Sequence, residues 1–365
     1  MIRDFGLKLL LAAMAAMWIG GIEAPFARAE SSSDDHRDQQ ATKKLIILDT
    51  DMDSDCDDAA ALGILHAMID RGEAELLAVM VSGTNRHAGP CVDAINAYYG
   101  RPNIPIGTAR PPAPDQPSLY AEGVARRCPH DLVDSLSAPD AVELYRSILM
   151  TQPDESVTIV TVGDMTNLAK LLALPRTQEL PSGREVVEQK VAHWVCMGGN
   201  FIGKPARDDL KVESNNNFTL DSKATFAAIT KWPGPITFVG REIGSVPSGL
   251  EAGELLRNAP ADHPVRIAYE LYFGGVAKNR HVADLTTVLY AVRGLGDYWG
   301  IEDQGAMELK PNMTFEWNYD SDRDHAYLLK KPDDPAASHE RVEQAINDLM
   351  LAPPGTPRGP SREGQ

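Results

Sequence analysis

Cysteine is scarce in this 365-residue chain: Cys56, Cys91, Cys128 and Cys196, with no Cys-x-x-Cys spacing of the kind that holds zinc. No Gly-Lys-Ser or Gly-Lys-Thr occurs, which excludes a P-loop. Positive charge is in deficit, 35 Lys and Arg against 52 Asp and Glu, for a net charge of -17. That balance argues against nucleic-acid polymers, whose phosphates demand a basic face, but not against a small neutral ligand. Internal repeats and a mid-chain linker are absent. One sustained apolar run stands out near the start, Leu9 to Ile22, too short for a comfortable membrane span and without a stop-transfer flank. Arg3 and Lys8 lie at or before its start and Ala27-Arg28-Ala29 closes it, the pattern of a secretory signal peptide cleaved after Ala29; an uncleaved anchor is the alternative. A periplasmic or secreted protein is expected. Residues 30–42 read as a flexible leader, 43–352 as one domain and 353–365 as a disordered tail. In an exported protein one disulfide is expected, Cys91 with Cys128, because both lie in loop-like surroundings; Cys56 and Cys196 read as thiols.

Aspartate, by contrast, is concentrated. Asp49, Asp51, Asp53, Asp55, Asp57 and Asp58 fall within ten residues, after the apolar run Leu45-Ile46-Ile47-Leu48 and before the small and apolar run Ala59 to Met68. The pattern predicts a buried strand, a carboxylate-lined turn and a helix opening at Asp57-Asp58. So many like charges demand a positive partner, and a hard cation with oxygen ligands, Ca²⁺ or Mg²⁺, is the natural one. The plainer alternative is a solvated loop whose aspartates cap a helix. An EF-hand is excluded, since its sixth position would be Ser54 or Cys56 rather than Gly. Asp53 reads as exposed turn chemistry. Further apolar strands are expected at Leu76–Val81, Val157–Val162, Val191–Met197 and Ile236–Val239, alternating with helical stretches. The fold class is therefore α/β, an open, mostly parallel central sheet flanked by helices, with ligands bound at its carboxyl edge.

Asp49-Thr50-Asp51 and Asp57-Asp58-Ala59 resemble the two halves of the nucleoside hydrolase fingerprint, that of the inosine-uridine preferring N-ribohydrolases. The five-residue spacer is similar to a long-spacer branch of that family, with Asp53 where the branch usually has Gly. The resemblance continues in order. Leu76 to Asn85 looks like the second strand ending in Asn, and Val157 to Leu172 like a strand-Gly-x-x-Thr-Asn-helix segment. Trp194 to Asn200 contains Met-Gly-Gly, Glu213 to Ala224 holds an Asn-rich stretch before an Asp-x-x-Ala helix, and His281 to Tyr290 resembles the helix bearing the last metal ligand. Together these span about Lys44 to Met350.

The resemblance implies Ca²⁺-dependent hydrolysis of the N-glycosidic bond of ribonucleosides, to ribose and free base. It implies Asp51, Asp58 and Asp284 as carboxylate ligands of Ca²⁺, with Val162 through its backbone carbonyl. Asp51 is also the implied general base, with Asp55 as a competitor because of the long spacer. Asp57, Asn85 and Asn217 are implied to grip the ribose, Met197 to pack beside it, and Asn215 to meet the 5′-hydroxyl, with Glu213 as a substitute. Alternatively, Asn217 caps the helix near Asp221, Asn85 is a turn residue, Met197 is core and Asp284 is a helix cap. The sequence departs from the family at Ala283: purine-active members often carry there a His that protonates the leaving base. His281 lies two residues upstream, and little leaving-group help is expected from it; stacking on Trp317 or Tyr319 is another route. A non-catalytic nucleoside- or ribose-binding protein that retains fold and metal site is the second reading. The partner in either case is a small nucleoside; homo-oligomerisation stays open.

Overall fold

The computed structural model describes residues 43–201, 216–245 and 248–355. The signal peptide and leader expected at 1–42, residues 356–365 of the expected tail, and Glu213 and Asn215 lie outside the described residues.

The strands are β1 (Lys44–Thr50), β2 (Ala74–Val81), β3 (Ile106–Thr108), β4 (Val157–Thr161), β5 (Val191–Met197), β6 (Ile236–Val239), β7 (Glu251–Ala252), β8 (Arg280–His281), β9 (Trp299–Glu302), β10 (Ala306–Leu309), β11 (Phe315–Asn318) and β12 (His325–Lys330). Eight of them form one sheet in the order β3-β2-β1-β4-β5-β6-β12-β9. Every neighbouring pair is parallel except β12 with the edge strand β9. The α/β fold expected from the sequence is the fold observed.

Strand β1 explains why the centre of the sheet reads as an unbroken apolar run. Ile46 and Leu48 point into the core beneath the helix Asp57–Asp70, while Ile47 points into the core on the opposite face, beneath Ala141–Thr151. All three are fully buried. Each contributes about 1.5–3 kcal/mol relative to exposure, and alternation cannot show where both faces are covered. The helix Asp57–Asp70 is buried along most of its length for the same reason: Ala59 to Met68 contains no charged residue.

From β1 the chain crosses to β2 through the helix Asp57–Asp70, in the first core. From β4 it crosses to β5 through Thr166–Ala173 and Gly183–Lys190, in the second. Neighbouring strands β1 and β4 thus send their chains to opposite faces, which opens a crevice beyond their carboxyl ends. Gly163 lets the two loops meet there, since a Cβ on it would sit 2.5 Å from the Asp51 nitrogen and 2.9 Å from the Thr50 carbonyl carbon. Beneath the crevice, Asp49 locks the strand ends. Its carboxylate accepts Tyr145 Oη at 2.9 Å and Asn167 Nδ2 at 3.1 Å, and its carbonyl accepts the Val162 amide at 2.8 Å.

Two expectations are corrected. Cys91 sits within the helix Ala88–Tyr98 and Cys128 at the end of Ala121–Arg127; both are buried, free thiols, as are Cys56 and Cys196. Asp53 is not exposed but 2 % accessible, folded inward with the other aspartates. Among the described residues no helix is long and apolar enough to cross a membrane.

Candidate active site

Loops after β1, β4, β5 and β6, together with the turn from β8 into the helix Ala283–Arg293, enclose a cavity of about 250 Å³ at the crevice. Eight of the residues expected from the sequence line it: Asp51, Asp57, Asp58, Val162, Met197, Asn217, His281 and Asp284.

The acidic floor follows from two helix starts. Asp57 and Asp58 open the helix Asp57–Asp70, which has no side-chain cap, and both line the cavity; Asp57 accepts the Asp284 amide at 3.5 Å. Asp284 lies in the first turn of Ala283–Arg293, whose cap position is Val282; Asp284 is therefore not the cap. Both helix N-termini favour negative charge nearby. Carboxylate oxygens of Asp57, Asp58 and Asp284 lie within 4.8 Å of one another. Asp51 adjoins this trio, and all four are at most 5 % accessible. Burial pushes each carboxyl above the usual range, and mutual repulsion adds to it: Asp58 on Asp51, Asp57 on Asp58 and on Asp284, Asp55 on Asp57. Asp58 is oriented by Thr50 Oγ1 and, at 3.4 Å, by the Met52 amide. Four buried, crowded carboxylates with few donors match the donor set of a hard dication, and the site fits such an ion.

The opposite wall is neutral. Asn217 Nδ2 donates to the Val162 carbonyl at 2.6 Å and lies 3.2 Å from Met197 Sδ, tying the β4 and β5 loops together. Asn217 is no helix cap, because Asp221 caps Ser222–Lys231 through the Ala224 amide. Gly198 makes room here, since a Cβ would overlap the Phe218 ring.

Asp55 differs from Asp51 in its partners. Arg280 Nε reaches both Asp55 oxygens, at 2.8 and 3.1 Å, and His281 Nε2 lies 3.2 Å away. Burial alone would raise the Asp55 carboxyl, but His281 and Arg280 overrule it and hold it well below the ordinary range. Asp55 is thus held as an anion by two cationic side chains. His281 Nδ1 faces Asp57 at 3.5 Å. Burial disfavours the imidazolium, yet Asp55 and Asp57 raise it to about 9. Both ring nitrogens face carboxylates, so His281 clamps the acidic turn.

Asn85 is not brought to the cavity. Its amide donates to the Gln116 carbonyl at 2.9 Å and its oxygen accepts the His87 amide, which makes it a turn residue. Trp317 is buried in an aromatic cluster with Phe201 and Tyr327, its Nε1 donating to the Gln304 carbonyl, and neither it nor Tyr319 lines the cavity. Sequence reasoning missed Arg280, Arg241, Ser54 and Ser245, which do. Arg280 adjoins His281 and was open to inference; nothing marked Arg241.

Residues 46–327 match the inosine-uridine preferring nucleoside hydrolase family, and the chain belongs to it. The family is metal-dependent, in keeping with the acidic cluster. The fold is similar to an inosine-uridine preferring nucleoside hydrolase from Bacillus anthracis, with a TM-score of 0.61 and 17% identity over 84% of this chain and 99% of that one. A purine-preferring ribonucleoside hydrolase from Gardnerella vaginalis matches at 0.58 and 15%, over 84% and 99%. The type III effector protein XopQ, complexed with adenosine diphosphate ribose, matches at 0.61 and 15%, over 86% and 95%. No curated protein sequence matches the chain.

Proposed function

We propose that this protein is a Ca²⁺-dependent nucleoside N-ribohydrolase that releases ribose and a free base from small ribonucleosides. The observation that carries the reading is the convergence of four buried carboxylates, Asp51, Asp57, Asp58 and Asp284, on one cavity. Family membership supports it; neither the ion nor the base follows from family membership.

Hydrolysis of an N-glycosidic bond passes through a state with positive charge on the sugar ring. Carboxylates fixed around the ribose stabilise that charge without reorganising. A bound Ca²⁺ would supply a positive centre that orients two vicinal hydroxyls and acidifies water. Asp51, Asp58 and Asp284 would hold it, with Asp57 beside them for a ribose hydroxyl; the Val162 carbonyl, already accepting from Asn217, has a second lone pair for the ion. Asp51 takes the proton of the attacking water as oxygen bonds to the anomeric carbon; the bond to the base nitrogen breaks with its electron pair going to the base, which takes its proton from solvent because Ala283 offers none. Asp55, neutralised by Arg280 and His281, has no such part. Asn217 and Met197 line the neutral wall of the cavity, against the sugar. Export to the periplasm or medium is part of the proposal and rests on Met1 to Ala29 alone.

The test is base release from a panel of nucleosides by the purified mature protein, with Ca²⁺ or EDTA, beside metal analysis. Release that EDTA abolishes and Ca²⁺ restores supports the reading. Tight nucleoside binding without release selects the non-catalytic binder, and full activity in metal-stripped protein sinks the proposed chemistry.

A further inference from the structure

The cavity carries positive as well as negative charge, and the two are not matched. Of its cationic side chains, Arg280 is bound to Asp55 and also stacks over Tyr272 at 5.4 Å. His281 is held between Asp55 and Asp57. Arg241 differs from both. Its half-buried side chain lines the same cavity, yet among the described residues its guanidinium has no ion-pair partner. The neighbouring Glu242 makes no ion pair with it: that carboxylate is turned inward to accept the Phe201 amide at 3.1 Å, and burial pushes it up to about 7 against the through-space pull of Lys330 and Arg241.

A neutral riboside gives a guanidinium without an ion-pair partner among the described residues nothing to balance the water it loses on binding. An oxyanion does, because a planar guanidinium binds phosphate or carboxylate through two parallel hydrogen bonds. The placement suits a bipolar ligand. Arg241 follows β6, and the carboxylates follow β1; the order β1-β4-β5-β6 puts three strand spacings between them, about 14 Å. That span accommodates an arginine side chain plus a ribosyl group ending in an oxyanion. Ser245, one helical turn further along, lines the cavity beside Arg241 and offers a further hydroxyl.

We propose that Arg241 receives an oxyanion of the substrate, so that the preferred substrates are anionic ribosides. This rests on the reading of the cavity as a ribosyl site. The shared chemistry, a delocalised oxyanion, has two sources: a phosphate on the ribose 5′-oxygen or a carboxylate on the base.

The experiment measures kcat/KM for inosine, uridine, their 5′-monophosphates and orotidine, with wild type, Arg241→Gln and Arg241→Lys. The readout is the ratio of anionic to neutral substrate within each preparation, so any loss of folded protein cancels. Wild type should favour one anionic arm, and which one identifies the source. Arg241→Gln should lower that ratio by about 30-fold or more, as truncating a desolvated charge pair does, with Arg241→Lys in between. Calorimetric titration with ribose 5-phosphate against ribose gives a second readout that needs no turnover. Arg241-dependent preference for ribose 5-phosphate in a protein that cleaves nothing would sink the hydrolase reading and leave this one standing. Inosine or uridine cleaved at least as well as every anionic substrate, or a ratio unmoved by Arg241→Gln, would overturn it.

Discussion

Asp58→Asn separates the electrostatic reading of the cavity from a merely structural one, because the sign of its effect depends on the ion. The amide keeps an oxygen to accept Thr50 Oγ1 and the Met52 amide, so local hydrogen bonding survives. What disappears is one buried negative charge within 4.8 Å of Asp57 and Asp284. Two unit charges at that separation repel by about 3–4 kcal/mol at an effective dielectric constant near 20. Part of this is relieved in metal-free protein by proton uptake, which the raised carboxyls allow, so the net gain from the substitution in EDTA is smaller, about 1–2 kcal/mol. With Ca²⁺ present the balance reverses. A ligand at a thousand times its Kd stabilises the native state by about 4 kcal/mol, and the loss of one of its carboxylates forfeits most of that. In thermal unfolding, Asp58→Asn should therefore melt above wild type in EDTA and below it in millimolar Ca²⁺, with little response of its own to the ion. If Ca²⁺ raises the Tm of variant and wild type equally, Asp58 is not a ligand. If the variant is much less stable in EDTA, the repulsion argument fails.

Asp51→Asn should lower kcat by a factor on the order of 10² to 10⁴ while nucleoside binding persists, measured by turnover beside calorimetry; a near-normal rate would remove Asp51 as base. His281→Ala removes the ion-pair partner of Asp57 among the described residues and leaves Asp55 to Arg280, so cleavage of inosine and of p-nitrophenyl riboside should fall by similar factors; a loss confined to inosine would instead make His281 the leaving-group acid. Gly163→Ala drives a methyl into backbone at Asp51 and Thr50, and should cost about 2–4 kcal/mol by denaturant unfolding together with most activity. Metal-free protein should lose stability as pH rises from about 6.5 to 8. Burial raises Asp49 to about 8, and a carboxyl raised in the folded state stabilises while protonated and ceases to as pH passes its folded value. Below that window the buried histidines His193 and His263, both lowered to about 4 by burial, oppose the trend by resisting protonation, so the decline is read above it. A Tm in EDTA that rises steadily from pH 6.5 to 8 would contradict this.

How much of this was legible in the sequence follows from the range of each signal. Strands β5 and β6 fall at the residues expected, and β1, β2 and β4 within two, because buried parallel strands are written as local apolar runs. Strands β3 and β9 were not marked: one has three residues, the other is an edge strand with Gly300 and Glu302 in it. Position β12 between β6 and β9 depends on pairing across some ninety residues of chain, which no local pattern encodes. The acidic turn was legible as a cluster, and Asp57, Asp58 and Asp284 do meet, but which carboxylate stays free was not. That depends on Arg280, more than two hundred residues from Asp55, and on His281 beside it.

The same reasoning explains why the site is more specific than its motif. A run of alternating aspartates fixes only that negative charge accumulates at one helix start and strand end. Partners, most of them distant in the chain, divide that charge into roles: Arg280 and His281 neutralise Asp55, the nearby Thr50 orients Asp58, and Asp49 is withdrawn beneath the floor by Tyr145 and Asn167. Asp53, buried with the rest, accepts the Ser54 amide as a brace for the turn, and burial raises its carboxyl against the pull of that hydrogen bond. Six similar side chains in ten residues thereby become a fixed anion, an inner strut, a brace, the proposed base Asp51, and a pair, Asp57 and Asp58, that Asp284 joins from a distant helix. Substituting a partner should change one role at a time, whereas shortening the spacer by a residue would shift them all.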